Sequence, residues 1–108
     1  MKTLVQDASI EWSDLGGNVR RKIMAFDDQM MIVKVEMKSG AIGALHHHIH
    51  TQASYVPKGV FDITIDGKTQ RLQAGDVYFV PSMLEHGALC IEDGELIDVF
   101  HPLRRDFL

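Results

Sequence analysis

Short stretches in which apolar and polar residues alternate recur along this sequence. The clearest lies at 60–66, where Phe61, Ile63 and Ile65 are separated by polar residues, and the same period of two recurs over 31–38. Such a period is typical of a β-strand that buries one face. The pattern predicts strands near Arg20–Phe26, Met30–Lys38, Ala41–His48, Ala53–Pro57, Val60–Ile65, Thr69–Gln73, Asp76–Val80, Gly87–Glu92 and Glu95–His101.

Turn-forming residues separate these stretches at intervals of roughly eight to twelve residues, the spacing of an all-β sandwich or barrel. Glycine or aspartate occupies the turns expected at 27–29, 39–40, 66–68, 74–75 and 93–94. No stretch combines a helical apolar stripe with start and stop signals, and Ser13–Leu15 is expected to form one helical turn at most. Because antiparallel sheets must close or cover their edges, the sequence predicts an all-β jelly-roll β-barrel of antiparallel strands.

Length and composition narrow the class of protein. The chain has 108 residues, of which 45% are hydrophobic and 24% charged, so we expect one globular domain over residues 1–108 and exclude disorder and coiled coil. The formal net charge is −4 and no basic block offsets it, which argues against nucleic acid as a partner. A chain of this size has a modest core, so pairing of an edge strand with a second copy would add buried surface and give a homodimer.

The expected location of the protein follows from its cysteine content and from its apolar runs. The single cysteine, Cys90, has no partner for an internal disulfide, which favours a reducing compartment. The first residues, MKTLVQDASIEW, lack the long apolar core of a signal peptide. No apolar run approaches the ~20 residues of a membrane helix. We therefore expect a soluble, cytoplasmic protein without a membrane partner.

Histidine is the unusual feature, because four of the six histidines fall between positions 46 and 50. On the predicted strand His46 and His48 point to the same face about 7 Å apart, whereas His47 points to the opposite face. That distance suits two imidazoles that bind one ion at about 2.0–2.1 Å. Gln52 begins the next strand and His86 begins a later one. The sequence therefore predicts a divalent transition-metal site formed by His46, His48, Gln52 and His86.

The spacing does not choose among Ni, Zn, Fe, Mn and Co. A histidine-rich surface loop that binds metal only adventitiously is the alternative interpretation. At Gln52 an amide oxygen replaces a carboxylate that would neutralise part of the charge, so the ion should be a stronger Lewis acid that is more easily lost. His50, at the turn, is expected to lie behind the ligands rather than among them.

The C-terminal strand carries a second candidate site. The segment 96–100 is apolar on both faces except at Asp98, and an unpaired buried carboxylate is costly, so Asp98 has a partner or faces a wet cavity. Asp98 and Phe100 share a face, and Arg104 follows a proline break. An acid, an aromatic wall and a guanidinium would suit an acidic sugar. A structural Asp98–Arg104 ion pair beside a core Phe100 explains the same spacing equally well.

The histidine region resembles the two cupin motifs. The first motif is matched, in order, by Gly40, His46, His48, Gln52 and Gly59. The second is matched by Gly75, Pro81 and His86. Three positions depart from the motifs: Gln52 stands for glutamate, Met83 for glycine and Cys90 for asparagine. The last two occupy turn and packing positions, and the resemblance implies the cupin jelly-roll β-barrel with its metal site.

A closer resemblance, covering nearly the whole chain, is to the small pectin-degradation cupins. It is carried by the start of the chain (Trp12, 14–16 and 19–21), by the 46–52 block with Tyr55, and by the ending 98–108. The resemblance implies a metal site of three histidines and a glutamine, and catalytic roles for Asp98, Phe100 and Arg104. It further implies that a small acidic sugar is the substrate, and that 4,5-unsaturated monouronates from pectin or alginate are converted to linear keto uronates.

Two other functions stay open. A cupin dioxygenase would use the same ligands on Fe or Cu and would consume oxygen, although an apolar aromatic substrate would leave Arg104 without a partner. A non-catalytic cupin would bind sugar acids without turnover. Such modules usually accompany a DNA-binding segment, for which 108 residues leave no room beside the barrel.

Overall fold

The computed structural model describes residues 2–108 as antiparallel strands joined by short turns. Within that range the strands are β1 (Ser13–Gly16), β2 (Val19–Phe26), β3 (Met31–Met37), β4 (Ile42–His46), β5 (Thr51–Ile65), β6 (Lys68–Gln73), β7 (Val77–Val80) and β8 (His86–His101). Two short 3₁₀ turns lie at Asp7–Ser9 and Arg105–Phe107. The all-β prediction is confirmed. Residues 2–108 contain no helix with the length and apolar character needed to span a membrane.

The strands form one hydrogen-bonded sheet that folds into a jelly roll. Its neighbour order is β1-β2-β3-β8-β5-β6, with β4 on β8 and β7 on β5, and the path does not close into a ring. Every pairing in it is antiparallel. The two long strands β5 and β8 pair from Thr51↔His101 to Ile65↔His86. These two strands are the frame on which the candidate site is built.

Two predicted breaks between strands, at 58–59 and at 93–94, are bends inside continuous strands. The predicted strands Ala53–Pro57 and Val60–Ile65 both lie in β5, while Gly87–Glu92 and Glu95–His101 both lie in β8, so the turn predicted at 93–94 is wrong. Gly59 takes a φ of +93°, and a Cβ built there would lie 2.5 Å from the Cα of Gly94. Two glycine backbones in such close contact let both strands bend together and stay paired.

Two predictions at the ends of elements are also wrong. Ser13–Leu15 belongs to β1 rather than to a helical turn, because the turn at 17–18 returns the chain onto β2. The strand predicted at Ala41–His48 ends at His46, because the pairing of β4 with β8 becomes irregular before that residue. His48 therefore approaches the site from a connecting segment. The other predicted strands agree with the structure to within one residue at each end.

The interior holds two clusters of buried side chains. The larger contains Met37, Ala41, Val56, Phe61, Ile63, Cys90 and Leu96. The smaller contains Met31, Val33, Phe100 and Leu103. The alternation that predicted the strands holds, since Phe61 and Ile63 are buried while positions 62 and 64 are partly exposed. Phe100 also lines the cavity described next, so packing of the core fixes one wall of the site.

Candidate metal centre

Three histidine side chains from two segments of the chain meet at one end of the jelly roll. His46 is the last residue of β4 and lies directly opposite His86, the first residue of β8. His48 follows two residues after β4. The ring centroids of His46 and His48 are 4.3 and 4.8 Å from that of His86, and 5.5 Å from each other. One imidazole nitrogen from each residue lies within 4.8 Å of the other two.

Backbone hydrogen bonds orient all three rings in the same sense. Nδ1 of His46, His48 and His86 each contacts a carbonyl oxygen, which can only accept a hydrogen bond. The three acceptors are the carbonyl oxygens of Ala44, His50 and Leu84, at 2.8, 3.0 and 2.9 Å. Each Nδ1 therefore carries the proton, and each Nε2 keeps a free lone pair for a ligand. This is how histidine ligands are commonly held in metal sites.

The electrostatics of His86 fit a bound cation. Its Nε2 is buried and has no hydrogen-bond partner among residues 2–108. Burial lowers the pKa of His86 to about 4. The ring is therefore neutral at neutral pH, and its Nε2 carries a lone pair rather than a proton. Burial also lowers the pKa of His48. A buried, unpartnered imidazole nitrogen is costly unless a ligand fills the position.

Gln52 completes the set of donors. This buried side chain on β5 places its Oε1 3.1 Å from Nε2 of His48. With Nδ1 of His48 protonated, both facing atoms are acceptors, and two acceptors repel unless a cation lies between them. Two donors bound at about 2.1 Å to one ion lie about 3 Å apart. The three imidazoles could hold a metal ion, and the amide oxygen of Gln52 lies where it could be a fourth donor.

The neighbouring histidines do not join the three rings. His47 is exposed, as expected from its position on the opposite face. His50 contacts the cluster through its carbonyl oxygen, which accepts the hydrogen bond from His48, and its ring packs edge-on against the His48 ring at 5.2 Å. It therefore lies behind the His48 ring and outside the group of three converging rings.

The donor set opens into a cavity of about 340 Å³, whose lining includes His46, Gln52 and His86 together with Asp98, Phe100 and Arg104. This volume is within the range of small-molecule sites. The two groups of residues singled out from the sequence thus share one space. Asp98 comes from β8, two residues before Phe100, and its side chain points into the same interior.

Asp98 is held by a hydrogen bond and not by an ion pair. The Ser54 hydroxyl donates to its Oδ1 at 2.6 Å. Burial raises the pKa of Asp98 to about 6, and the Ser54 hydrogen bond and the charge of Arg104 oppose this rise. A carboxyl group with a pKa near neutrality can both hold and release a proton under physiological conditions.

Arg104 forms its ion pair with another residue. Its Nε and Nη2 donate to the two carboxylate oxygens of Asp106 at 3.1 and 2.8 Å, so the structural Asp98–Arg104 pair that explained the spacing equally well is not formed. The guanidinium also lies over the rings of Phe100 and Phe107, at 5.0 and 4.3 Å from their centroids. The guanidinium of Arg104 has five N–H bonds. Two of them donate to Asp106, which leaves three for a ligand.

Several residues of this region were not singled out from the sequence. Ser54 lies two positions after Gln52 on the same strand face, which is a signal that could have found it. Asp106 and Phe107, in the short C-terminal turn, carry no such periodic signal. Tyr78 lines the cavity and lies opposite Ser54 in the β5–β7 pairing. Its pKa is raised by burial and by the nearby charge of Asp98.

The antiparallel jelly roll and the three converging imidazoles indicate the class of protein to which this chain belongs. The family model described as Cupin domain matches residues 33–100, and the chain belongs to the cupin family. Within this family it is a KdgF-like cupin. It is 40% identical over 110 residues to the pectin degradation protein KdgF of Dickeya dadantii (strain 3937), with 100% of each chain covered.

Two solved structures are closely similar. An RmlC-like cupin from Shewanella frigidimarina NCIMB 400 is 40% identical with a TM-score of 0.97, and the match covers 100% of this chain and 97% of that one. KdgF from Halomonas sp. is 34% identical with a TM-score of 0.96, and the match covers 100% of both chains. The predicted cupin family and jelly-roll fold are thereby confirmed.

Proposed function

We propose that this protein is a metal-dependent enzyme of pectin or alginate breakdown that converts 4,5-unsaturated monouronates to linear keto uronates. The observation that carries the proposal is the shared cavity, in which a set of metal-binding donors faces an acid, an aromatic wall and a guanidinium. The similarity to a protein described as a pectin degradation protein supports the substrate class.

His46, His48, Gln52 and His86 would hold one divalent transition-metal ion, with Ni, Zn, Fe, Mn and Co all compatible with the donors. When bound, such an ion supplies Lewis-acid chemistry, because it withdraws electron density from the oxygens of the sugar. Four neutral donors add no negative charge to the site. The acidic substrate therefore brings a negative charge that the four metal donors lack.

Arg104 binds the C6 carboxylate of the sugar, using the N–H groups that Asp106 leaves free. Phe100 packs against one face of the ring, since it forms a buried wall between the smaller core cluster and the cavity. Together the two residues fix the substrate with its reacting carbons towards Asp98. Positioning of this kind lowers the entropic part of the barrier.

Asp98 moves the proton. The reaction is an isomerisation: the C1 hydroxyl loses a proton, the bond from C1 to the ring oxygen breaks, and C1 becomes a carbonyl. The ring oxygen then becomes the C5 carbonyl as the electrons of the C4=C5 bond take up a proton at C4. One proton is removed and one is added, so a single carboxyl group that both accepts and donates is sufficient.

The test is to follow the ultraviolet absorbance of a purified unsaturated monouronate, which is lost when the C4=C5 bond disappears. We expect loss of absorbance with the metal-loaded protein, little after chelation, and recovery with at least one of the five metals. Asp98→Ala should lose at least 100-fold in kcat. Asp62→Ala, which removes a carboxylate paired with Arg71 outside the cavity, should match the wild type.

Each outcome decides between the functions left open by the sequence. If Asp98→Ala matches the wild type, the proton role is wrong even if the reaction is right. Oxygen uptake that requires a redox-active metal would favour a dioxygenase. Binding of the uronate without loss of absorbance, under any of the five metals, would favour a non-catalytic sugar-acid-binding cupin.

A second copy of this chain is the proposed partner, docked through the outer face of the sheet. Pairing across four strands aligns Phe79, Ala53, Val99 and Ile32 in one row. Tyr55 and Val77 extend this row into an exposed apolar face. The nearby charges are already paired within the chain, as in Lys34–Asp7 at 3.1 Å and Lys34–Glu95 at 3.6 Å. An apolar face without free charge complements itself across a two-fold axis, whereas it offers nothing to a charged partner.

The proposed place of action is the cytoplasm. Cys90 is buried and unpaired within the described chain, and burial raises the pKa of its thiol. A free thiol persists in a reducing compartment.

A further inference from the structure

A buried chain of hydrogen bonds joins the two halves of the cavity through one hydroxyl group. The Gln52 amide Nε2 donates to Ser54 Oγ at 3.0 Å, and Ser54 Oγ donates to Asp98 Oδ1 at 2.6 Å. All three side chains are buried, with Ser54 only 3% exposed. Ser54 lies opposite Asp98 across the β5–β8 pairing and opposite Tyr78 across the β5–β7 pairing. Its hydroxyl is therefore held by hydrogen bonds to side chains of two strands, β5 and β8.

Counting donors fixes the direction of this chain. A serine hydroxyl has one proton, and an ionised carboxylate can only accept a hydrogen bond. When Asp98 is ionised, the proton of Ser54 is therefore directed to Asp98, and the oxygen of Ser54 can only accept from Gln52. Gln52 must present its NH₂ group to Ser54 and its Oε1 to the opposite side, where Nε2 of His48 lies 3.1 Å away.

The opposite orientation of the amide would remove a metal donor. With the amide turned over, Oε1 of Gln52 would face the oxygen of Ser54 without a proton between them, and the NH₂ group would face the imidazoles. An NH₂ group has no lone pair to offer to a cation. The orientation of the amide thus decides whether Gln52 can bind metal at all, and Ser54 is the residue that decides it.

We infer that Ser54 is a positioning residue that orients the Gln52 amide oxygen towards the metal and at the same time fixes the Asp98 carboxyl group, so that one hydroxyl couples metal binding to proton transfer. The inference rests on the proposed function for the roles of Gln52 and Asp98. It makes metal affinity and proton transfer sensitive to one small side chain that touches neither the ion nor the reacting carbons.

The first readout is metal affinity, measured by competition with a chromogenic chelator and independent of turnover. Ser54→Ala is expected to bind the metal about 10-fold more weakly or worse, the usual cost of losing a group that orients a ligand. Ser54→Thr keeps the hydroxyl and should recover most of the affinity. Thr64→Ala removes a hydroxyl from the same strand, where it pairs with Thr69 at 2.7 Å, and should change nothing.

A double-substitution cycle with Gln52 separates this inference from the proposed function. Gln52→Ala is expected to weaken metal binding, and Ser54→Ala should add little to that loss in the double variant, because both changes remove the same contact. If Gln52→Ala leaves affinity unchanged, the proposed set of ligands is wrong. If Gln52→Ala weakens binding while Ser54→Ala stays within 2-fold of the wild type, the proposed ligands stand and the role of Ser54 is wrong.

The second readout is the pH–rate profile on the unsaturated uronate. The Ser54 hydrogen bond lowers the pKa of Asp98, so Ser54→Ala should move the acidic limb of the profile to higher pH and lower kcat more than it changes KM. A merely structural role would lower the fraction of active protein without moving this limb. Where Ser54→Ala does not fold, Ser54→Cys has a near-isosteric thiol that is a weak hydrogen-bonding group, and the same two shifts are expected. An unmoved limb would overturn the inferred coupling even if metal affinity falls, because Ser54 would then not act on Asp98.

Discussion

Replacing Asp98 by asparagine should stabilise the metal-free protein at neutral pH. The carboxyl group is buried and forms no ion pair with any of residues 2–108; its hydrogen bond comes from Ser54. Burial raises its pKa from the ordinary value of 3.8 to about 6, against the opposing effects of Ser54 and Arg104. The folded chain therefore disfavours the ionised form, and asparagine keeps the shape of the side chain without its charge.

The sign and size follow from proton linkage. Between pH 4 and pH 6 the unfolded chain releases the Asp98 proton while the folded chain retains it, so the free energy of unfolding falls as pH rises. Each unit of difference between the two pKa values corresponds to about 1.4 kcal/mol, which gives a loss of about 3 kcal/mol that is complete above pH 6 to 7. Below pH 4 both states hold the proton and the loss is absent.

The assay is urea unfolding of chelated protein at pH 4 and pH 8, followed through the single tryptophan, Trp12. The stability of Asp98→Asn relative to the wild type should be about 2 to 3 kcal/mol more favourable at pH 8 than at pH 4, because a small part of the full effect is already present at pH 4. Asp62→Asn is the control of opposite sign, because Arg71 lowers the pKa of that carboxyl group and its removal costs stability at pH 8. A relative stability of Asp98→Asn that is the same at both pH values would refute the reasoning.

Three further changes test the backbone and the outer face. Met83→Gly should raise the free energy of unfolding by about 0.5–1 kcal/mol, measured by urea unfolding, because Met83 is half exposed and has a φ of +72° that glycine adopts without strain. Gly59→Ala should lower the free energy of unfolding by about 3 kcal/mol or more, because the new Cβ would meet the backbone of Gly94. Gly16 also has a positive φ but open space around it, so Gly16→Ala should lower the free energy of unfolding by only about 1 kcal/mol. Equal losses for the two variants would contradict the role of the close approach. Phe79→Glu should convert the proposed dimer to a monomer in analytical ultracentrifugation, and an unchanged mass would show that this face is not the interface.

Much of the fold could be predicted because the local pattern and the tertiary structure agree. In β5 and β8 alternating residues enter the core as their period of two requires. The bend at Gly59 and Gly94 could not be predicted in the same way, because glycine and aspartate signal a turn equally well whether the chain reverses or continues. Only the contact between the two glycine backbones, which are distant in sequence, decides that both strands continue.

The candidate site, like the fold, has a part that the sequence predicts and a part that it does not. His46, His48, Gln52 and His86 could be proposed as ligands from the sequence because metal ligands must be histidine or another donor at a recognisable spacing. Their supporting groups are backbone carbonyls and one serine hydroxyl, which any sequence supplies in abundance. The pairing of Arg104 with Asp106 rather than Asp98 depends on the turn at 105–107, whose geometry carries no periodic signal.

Local strain and unsatisfied groups collect around this cavity. Met83 takes a conformation that favours glycine, and its N–H donates to the carbonyl oxygen of His48 at 2.8 Å. Within residues 2–108, the buried Nε2 of His86 has no hydrogen-bond partner, and the buried carboxyl group of Asp98 forms no ion pair. Each feature lowers the stability of the metal-free chain. A cation held by the proposed ligands would satisfy the nitrogen of His86 and offset the charge of Asp98, whereas the backbone strain at Met83 would remain. A protein selected only for stability would have glycine at 83 and an apolar side chain at 98. Among the positions where this sequence departs from the most stable choice, His86 is a proposed ligand and Asp98 is the group proposed to move the proton.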